Sequence, residues 1–464
     1  MSNIRIFIDF GSTFTKVVAF DLDKEELVER VQAPSTADTD IMTGLRSALN
    51  LLSATLDTNE GEIRRAMACS SAAGGLRMIC IGLVPEYTTE AGRLAALGAG
   101  AKVTGTYSYE LSRSEADEIA AAAPDIVLLT GGTDGGDRRI ICHNARMLSG
   151  IKSGVKNIIV AGNKSALDEI SDIFSKTDKK VVYTGNVMPE FGALDIDPVN
   201  EKIRDLFIHH ITEAKGIASV RQMIGDVLMP TPSAVLEAAK LIADGAGQEP
   251  GLGELMLVDV GGATTDVYSI ATGVPSAGGV TVVGLPEPYA KRTVEGDLGL
   301  FHNLDTLALL AARDIYKESA QDTENPEYTQ RLRGLRETLS IPAGQEQIEY
   351  QLQLSRKAVG TAVDRHAGRL ERRVTHNGEI WLQRGKDLTG ISCILGAGGP
   401  IAFSADPRFV LEGAALGSEA SLVLKPRAPS FLLDSEYILF AIGLLARSEP
   451  VKALRIIKKY LKQI

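Results

Sequence analysis

The pattern that most constrains this chain is a strand and an acidic residue, then a turn of glycine, serine and threonine, then a second strand. Residues 4–10 form an apolar strand pattern with Asp9 near its end, residues 11–16 form the turn, and residues 17–21 have the pattern of the next strand. Backbone N–H groups and hydroxyls in such a turn suit an anion, and Gly11 lets the backbone approach it closely. An acid beside a phosphate indicates a hydrated Mg²⁺ between them.

The same pattern occurs a second time, roughly 250 residues later. Residues 255–260 form an apolar strand that contains Asp259, residues 261–265 form a turn of glycine, alanine and threonine, and residues 266–270 form the next strand. A single copy fits an ordinary hairpin with polar turn residues equally well. Two copies predict two related domains that close on one nucleotide.

A third glycine turn follows another apolar strand pattern, at Gly396-Ala397-Gly398-Gly399. Its residues have almost no side chains, so a flat base or a ribose can lie against the backbone. The pattern is therefore compatible with a surface that carries a base or a ribose.

Composition and charge limit the function classes. The chain has 464 residues, which suggests about two to four domains, and its formal net charge is −10. Without a long basic run, nucleic acid and membrane surfaces are disfavoured as main partners. No apolar run reaches about 18 residues and no signal pattern opens the sequence, so we expect a cytoplasmic protein without a spanning helix.

The four cysteines, Cys69, Cys80, Cys142 and Cys393, are scattered and form no C-x-x-C pair. Local metal or iron–sulfur motifs place cysteines close together in sequence. The spacing favours reduced, buried thiols.

Residues 111–185 alternate between strand and helix patterns, which predicts a largely parallel sheet. One helix is predicted to begin at Ser114, with a capping contact to Asp117. The glycine-rich run 131–136 is either a third phosphate loop or a plain strand-to-helix turn. It lacks the lysine and the serine or threonine of a P-loop.

The predicted fold is α/β, with two related domains whose mixed sheets are flanked by helices and close on a nucleotide cleft. The boundary is placed at Pro230-Thr231-Pro232. The predicted divisions are residues 1–230 with an insertion at about 70–110, residues 231–445 with a helical insertion at about 304–375, and residues 446–464 as a C-terminal helix that packs back on the first domain. Long helices are predicted at 354–375 and at 410–422, and small residues in the second would form a hinge.

The three motifs, in this order, resemble the actin, sugar-kinase and heat-shock-chaperone ATPase superfamily. They match its first phosphate motif, its second phosphate motif and its adenosine motif. Glu295-Gly296-Asp297 resembles a loop that precedes a nucleotide-contacting helix, and Glu412 to Gly417 resembles the second connection between the domains.

Within that superfamily the whole chain resembles the MutL family of glutamate (methylaspartate) mutase accessory proteins, which is unrelated to the mismatch-repair protein of that name. The residues that carry this resemblance are 7–16, 69–76, 129–136 and 292–299. The resemblance implies an ATP-dependent reactivating chaperone whose partner is an adenosylcobalamin-dependent mutase and which exchanges damaged cobalamin. A homodimer is compatible with the resemblance. The chain has no Asp-x-His-x-x-Gly run, so the cobalamin should stay with the partner.

The resemblance also assigns roles at the site, with ATP or ADP and Mg²⁺ as cofactors. Asp9 and Asp259 would position Mg²⁺. The residues expected to hold phosphates are Gly11, Ser12, Thr13, Thr15, Lys16, Gly261, Gly262, Thr264 and Thr265. Gly396, Gly398 and Gly399 would carry adenosine, with Gly296 nearby. The acids that could orient the attacking water are Glu190, Asp266, Glu295 and Asp297, with Glu295 taken as catalytic together with Asp9 and Asp259.

Three other functions remain open on this sequence. A small-molecule kinase on the same fold would need a catalytic base beside the γ-phosphate. A scaffold protein would form filaments with nucleotide. An activator of a radical dehydratase would need an iron–sulfur cluster, which the scattered cysteines disfavour.

Overall fold

The computed structural model describes the chain except residues 1–2, 12, 37–39, 58, 72–75, 213–219, 221–222, 225–226, 302, 317–343, 377 and 418–420. The described residues divide into two compact units. The first unit consists of Met1–Glu237, Gly284–Pro288 and Phe440–Arg447. The second consists of Ala238–Val283, Tyr289–Leu439 and Ser448–Ile464.

The first half of the chain forms two sheets and the helices that cover them. In chain order its elements are β1 (Ile4–Phe10), β2 (Phe14–Asp21), β3 (Glu26–Pro34), α1 (Ile41–Thr55), α2 (Glu60–Arg64), β4 (Met67–Ser70), β5 (Arg77–Gly82), a π-helical turn (Pro85–Thr89), α3 (Glu90–Gly98), β6 (Lys102–Ser108), α4 (Arg113–Ala122), β7 (Ile126–Leu129), α5 (Arg139–Gly150), β8 (Asn157–Val160), a 3₁₀ turn (Lys164–Ala166), α6 (Leu167–Phe174), β9 (Lys180–Tyr183), α7 (Asp197–Thr212), β10 (Val227–Pro230) and α8 (Thr231–Asp244).

The second half of the chain also consists of strands and helices. They are β11 (Gly245–Ala246), β12 (Glu249–Pro250), β13 (Leu255–Val260), β14 (Thr265–Ile270), β15 (Val280–Val282), β16 (Ala290–Glu295), α9 (Leu304–Tyr316), α10 (Gln345–His366), β17 (Arg369–Thr375), β18 (Gly378–Arg384), β19 (Cys393–Ala397), α11 (Gly399–Ala402), α12 (Pro407–Leu411), a 3₁₀ turn (Glu412–Ala414), β20 (Ser430–Asp434), α13 (Leu439–Ala446), α14 (Pro450–Tyr460) and β21 (Leu461–Gln463).

The first sheet of the first unit contains the N-terminal hairpin. Its strand order is β10-β4-β1-β2-β3; β1, β2 and β3 are antiparallel neighbours, and β4 and β10 run parallel to β1. Ile6 and Ile8 lie in the core that α1 covers, whereas Phe7 packs against Phe20, with ring centroids 5.4 Å apart. Both faces of β1 are therefore buried, which explains its almost continuous apolar sequence.

The main sheet of the second unit repeats this arrangement. Its order is β16-β14-β13-β19-β20-β21, with β13, β14 and β16 antiparallel and with β19 and β20 parallel to β13. The strands β13, β14, β16, β19 and β20 thus correspond to β1, β2, β3, β4 and β10. This duplicated topology confirms the mixed α/β, actin-like ATPase fold that the two motifs predict.

A second sheet in the first unit has the order β6-β5-β7-β8-β9, and all its strands are parallel. This confirms the parallel sheet predicted for residues 111–185. The sheet begins at Arg77 and ends at Tyr183, so the inserted region is longer than the predicted 70–110. Helix α4 begins at Arg113, and its cap lies two residues before the predicted one, because Ser112 and Glu115, not Ser114 and Asp117, form the capping box.

Three predictions for the second half are corrected. The helix predicted at 354–375 ends at His366, and Arg369–Thr375 is strand β17, which pairs with β18. The helix predicted at 410–422 ends at Leu411 and passes into a 3₁₀ turn. The C-terminal segment Ser448–Ile464 belongs to the second unit, because β21 pairs with β20 there.

The small residues predicted to form a hinge near Gly413 pack inside the second unit. A Cβ atom on Gly413 would lie 2.6 Å from the carbonyl oxygen of Arg356 on α10. A similarly close contact occurs in the first unit, where a Cβ atom on Gly443 would overlap the carbonyl oxygen of Ala234. Glycine is needed at both positions, because no larger residue fits between the two backbones.

Candidate functional site

The first hairpin forms a tight turn in which glycine is required. Phe10 pairs with Thr15, and the Gly11 N–H donates to the Phe14 carbonyl oxygen at 3.1 Å. A Cβ atom on Gly11 would lie only 2.6 Å from that oxygen. The carbonyl of Thr13, the exposed residue of the turn, accepts from Ser35 N–H at 2.8 Å. Ser12 lies outside the described residues.

Asp9, at the end of β1, is a buried carboxylate that accepts hydrogen bonds from one charged and one neutral side chain. It is 2% exposed. Its Oδ2 accepts from Lys16 Nζ at 3.2 Å, and its Oδ1 accepts from Thr231 Oγ1 at 2.6 Å. The thiol of Cys69 lies 3.8 Å from the same Oδ1, and burial together with the Asp9 charge raises the pKa of Cys69 well above its usual value. The structure thus pairs Lys16 with Asp9.

Thr15 is placed in the interior and not on the turn. Its side chain is 1% exposed, and among the described residues its hydroxyl has no hydrogen-bond partner. A Cβ atom on Gly44 of α1 would lie 3.1 Å from this hydroxyl, so the hydroxyl faces α1. A phosphate at the turn would therefore contact Thr13 and backbone N–H groups more readily than Thr15.

The second hairpin has the same turn geometry and more support. Val260 pairs with Thr265, and the Gly261 N–H donates to the Thr264 carbonyl oxygen at 2.9 Å. The loop after β16 braces it, because the N–H groups of Leu300 and Phe301 donate to the carbonyls of Gly261 and Gly262 at 3.1 Å and 2.8 Å.

Asn303 completes this support. Its Nδ2 donates to the carbonyl oxygens of Ala263, at 3.1 Å, and Gly296, at 2.7 Å. Gly296 therefore fixes the loop through its carbonyl group.

In the second hairpin Asp259 lies opposite another acid, whereas in the first hairpin Asp9 lies opposite a lysine. Its cross-strand neighbour is Asp266. The charge of Asp266 is balanced by Arg292, whose Nη2 and Nε lie 2.6 Å and 2.9 Å from Asp266 Oδ1. Thr264 Oγ1 donates to the other oxygen of Asp266 at 2.9 Å, and Thr265 Oγ1 donates to the Leu298 carbonyl at 2.7 Å. Both threonine hydroxyls of this turn are thus already hydrogen-bonded.

The predicted adenosine turn lies against the second hairpin. Gly398 has φ of +92°, and a Cβ atom there would overlap the Val260 carbonyl and lie 2.7 Å from Asp259 Oδ1. Gly399 is the first residue of α11. Gly396 has a packing role, because a Cβ atom there would lie 2.7 Å from Leu411 Cδ1 in the core.

Two aromatic residues, which belong to no sequence motif, flank this turn. The rings of Phe403 and Tyr437 are stacked at an interplanar angle of 9°, with centroids 6.2 Å apart. Phe403 is 41% exposed, and a Cβ atom on Gly399 would lie 3.6 Å from the Tyr437 hydroxyl. Tyr437 has φ of +61°, an unusual value for a bulky residue that the surrounding structure must hold.

Two of the four acids proposed to orient water form an ion-pair cluster with Arg365. Arg365 Nη1 lies 2.7 Å from both Glu295 Oε2 and Asp297 Oδ1. The hydrogen bond from Arg365 lowers the pKa of Asp297. Glu295 would have to leave Arg365 before it could act on a water molecule. Glu190 lies in the first unit, in a bridge with Ala193.

The glycine-rich run after β7 is a rigid loop that leads to α5. Asn163 Nδ2 donates to the carbonyls of Gly136 and Asp137 at 3.0 Å and 3.1 Å. Asn186 Nδ2 donates to the Gly132 carbonyl and to Asp134 Oδ1, each at 3.0 Å. Internal hydrogen bonds of this kind favour the strand-to-helix turn over a third phosphate loop.

The four cysteines are buried free thiols in four different elements, β4, β5, α5 and β19. Within the described part of the chain, no group of three or more His, Cys, Asp and Glu side chains could hold a metal ion. A divalent cation here would need ligands from a nucleotide and from water, which is the usual mode for Mg²⁺. In the same part of the chain, no helix is both long and apolar enough to cross a membrane.

Comparison with known proteins identifies one family over nearly the whole length. The sequence model described as MutL protein matches residues 5–461. Protein MutL of Clostridium tetanomorphum is 43% identical over 461 residues, which are 99% of this chain and 99% of that protein. These findings confirm the family resemblance in the sequence.

Solved structures with similar folds are more distant. Glycerol dehydratase reactivase has a TM-score of 0.33 and 11% identity, covering 96% of this chain and all of that chain (100%). The (R)-2-hydroxyglutaryl-CoA dehydratase component A of Acidaminococcus fermentans has a TM-score of 0.30 and 11% identity, covering 98% of each chain. Because both scores are low, the fold assignment rests on the duplicated strand order.

Proposed function

We propose, starting from the fact that this chain belongs to the MutL protein family, that it binds and hydrolyses ATP and acts as a reactivating chaperone of an adenosylcobalamin-dependent mutase. The observation that carries the ATP-binding part is the duplicated hairpin, with one buried or half-buried aspartate before each tight glycine turn. The family membership carries the accessory role beside a mutase.

In this proposal the two turns hold the β- and γ-phosphates of one nucleotide. The N–H groups of Gly11 and Gly261 already close their hairpins, so the backbone N–H groups of residues 13–14 and 262–264 would supply most of the donors, together with the Thr13 side chain. Lys16 adds a positive charge. Phosphoryl transfer needs mainly positioning and charge stabilisation, which backbone dipoles at a rigid turn can supply.

Asp9 and Asp259 would hold Mg²⁺, directly or through its water ligands. Carboxylates and phosphate oxygens are the ligands that Mg²⁺ prefers, and it usually retains several waters. Bound there, Mg²⁺ would neutralise charge on the phosphates. Among the acids proposed to orient the attacking water, Asp266 lies nearest to the second turn in sequence, although Arg292 and Thr264 engage it.

The base would lie beside Gly398 and Gly399, with Phe403 as an exposed aromatic surface. Aromatic rings bind flat apolar faces by offset stacking. Gly398 brings the backbone of this turn next to Asp259, so the adenosine and the cation would be held by two adjacent segments of the second unit.

ATP turnover would drive a conformational cycle that acts on the mutase. Damaged cobalamin is trapped in a buried site of the partner, so its release requires work on the partner protein. A nucleotide that binds one conformation better than the other can supply this bias. The cobalamin itself would stay with the mutase.

An iron–sulfur activator of a dehydratase fits this chain less well. A cluster needs several thiolates that converge on one point. Here the four thiols are buried in four separate elements, and burial raises the pKa of Cys80 to about 12 and that of Cys393 to about 11.

The test is ATP hydrolysis by the purified protein, alone and with an adenosylcobalamin mutase inactivated by bound hydroxocobalamin. Recovery of mutase activity, with hydroxocobalamin released into solution, supports the proposal. Hydrolysis without recovery rejects the partner assignment, and acceleration by a small phosphate acceptor would indicate a kinase. Sedimentation with and without ATP distinguishes a filament-forming protein.

A further inference from the structure

The carboxylate of Asp9 is held by a residue 222 positions away in sequence. Thr231 Oγ1 donates to Asp9 Oδ1 at 2.6 Å, while Lys16 Nζ contacts Oδ2 at 3.2 Å. Two contacts on opposite oxygens fix the rotation of a carboxylate. One of them comes from the neighbouring strand of the same hairpin, and the other comes from the first residue of α8.

The backbone leaves Thr231 little freedom. Strand β10 runs beside β4, with Met229 opposite Cys69, and α8 begins at Thr231 with no residue between strand and helix. Pro230 and Pro232 flank Thr231, and a proline restricts both its own φ and the residue before it. The Cys69 thiol lies 3.5 Å from the Thr231 hydroxyl and occupies the space beside the hydrogen bond.

Helix α8 also has a special place in the chain. Its residues up to Glu237 belong to the first unit, and those from Ala238 belong to the second. The short strands β11 and β12 follow, and then β13, which carries Asp259. The hydrogen bond from Thr231 therefore joins Asp9 to the segment that leads to the second hairpin.

We propose that Thr231 is a positioning residue that orients the Asp9 carboxylate toward the divalent cation of a bound nucleotide and links this carboxylate to helix α8. The inference rests on the proposed function, because it assumes that Asp9 positions the cation. Groups that orient a metal-binding carboxylate typically change metal affinity or activity 10- to 100-fold when they are lost, although they never contact the metal.

The test measures the affinity for ADP with Mg²⁺ and with EDTA, in the wild type and in Thr231→Val. The ratio of the two affinities reports how well Mg²⁺ supports nucleotide binding, and a purely structural role would leave it unchanged. We expect the ratio to fall about 10-fold or more in Thr231→Val. We expect Thr231→Ser, which keeps the hydroxyl, to stay within about threefold of the wild type, since its hydrogen bond is retained.

Ser233→Ala is the matched control. Ser233 lies two residues further along α8, is buried, and donates to the Ala99 carbonyl at 2.9 Å instead of to Asp9. Its loss should lower the melting temperature and leave the Mg²⁺ ratio unchanged. An unchanged ratio in Thr231→Val overturns the inference while the proposed function stands, whereas no ADP binding by the wild type overturns both.

Two further measurements cover a Thr231→Val variant that does not fold. Thr231→Ala removes the same hydroxyl with a smaller side chain. In the wild type, ADP with Mg²⁺ should slow amide exchange in residues 231–237 more than ADP with EDTA does. Equal exchange under the two conditions would overturn the inference.

Discussion

The two hairpins share one topology and one turn, yet their acids are set in opposite electrostatic surroundings. Asp9 lies opposite Lys16 and is bound by it, whereas Asp259 lies opposite Asp266, whose charge is balanced by a buried arginine from the next strand. The first hairpin thus keeps its positive charge next to the candidate cation site. In the second hairpin the positive charge of Arg292 binds Asp266, the acid opposite Asp259, and the glycine turn at Gly398 lies next to Asp259.

This difference indicates unequal roles within a duplicated design. Lys16 places a positive charge next to Asp9, whereas the positive charge of Arg292 lies next to Asp266. Lys16 can also attract phosphate. We therefore expect the first hairpin to contribute more to phosphate binding than the second.

Removing the positively charged side chain that pairs with an acid of each hairpin should have the largest effect on stability. Arg292 and Asp266 have side chains 4% and 11% exposed, so Arg292→Met leaves a buried charge without its oppositely charged partner and should cost about 3–5 kcal/mol. Lys16→Met should cost less, about 1–3 kcal/mol, because the Lys16 side chain is 20% exposed and solvent therefore screens its pair with Asp9 more. Urea unfolding measures both, and equal costs would contradict the proposed asymmetry.

Removing either acid should abolish most ATP turnover without unfolding the chain. Asp9→Ala and Asp259→Ala each remove a group that would stabilise charge near the phosphates, and we expect losses of roughly 100-fold or more. Circular dichroism checks that each variant is folded. Unchanged turnover in one variant would remove that residue from the metal site and break the equivalence of the hairpins.

The equivalent turn glycines should differ in their tolerance of a methyl group. A Cβ atom lies 2.6 Å from the Phe14 carbonyl in Gly11→Ala, but 3.2 Å from the Thr264 carbonyl in Gly261→Ala. We expect the first change to cost about 1–3 kcal/mol and the second less than about 1 kcal/mol. The free energy of unfolding measures this, and the reverse order would show that the two turns are not built alike.

The smallest expected effect on stability comes from the ion pair between Arg365 and Asp297, in the loop that braces the second hairpin. Because Arg365 lowers the folded-state pKa of Asp297, this pair stabilises the protein above about pH 4, the usual range of a free aspartate, and the stabilisation is lost as the pH falls through the lower folded value. The Asp297 side chain is 41% exposed, so at most about 1 kcal/mol is expected.

Arg365→Gln should therefore lower stability at pH 7 and leave it almost unchanged near pH 2. Urea unfolding at both values provides the measurement. A variant that is destabilised equally at both would show that Arg365 acts through packing.

The sequence predicted the elements that depend on local pattern. Apolar strands that end at glycine turns identify both hairpins, because one continuous segment forms each. The charges of residues 369–375 are typical of a solvated helix face, so the sequence predicts a helix there. Pairing with β18 overrides that pattern, and the strand begins just after Gly368.

Contacts between distant segments were not predictable from the pattern. Thr231 served only as a marker of a domain boundary, because nothing local shows that a residue 222 positions from Asp9 binds it. Arg292 belongs to a motif that was recognised, but its partner Asp266 lies on another strand. Likewise, Phe403 and Tyr437 meet only when α11 and β20 are packed in one unit.

The most direct test of the account is a calorimetric titration of the full-length protein with ADP and Mg²⁺, repeated with Asp9→Ala and with Asp259→Ala. The account predicts one nucleotide per chain, bound more tightly with Mg²⁺ than with EDTA, and a clear loss of affinity in each variant. Two independent sites per chain, or full affinity after loss of either acid, would contradict the claim that both hairpins serve one nucleotide.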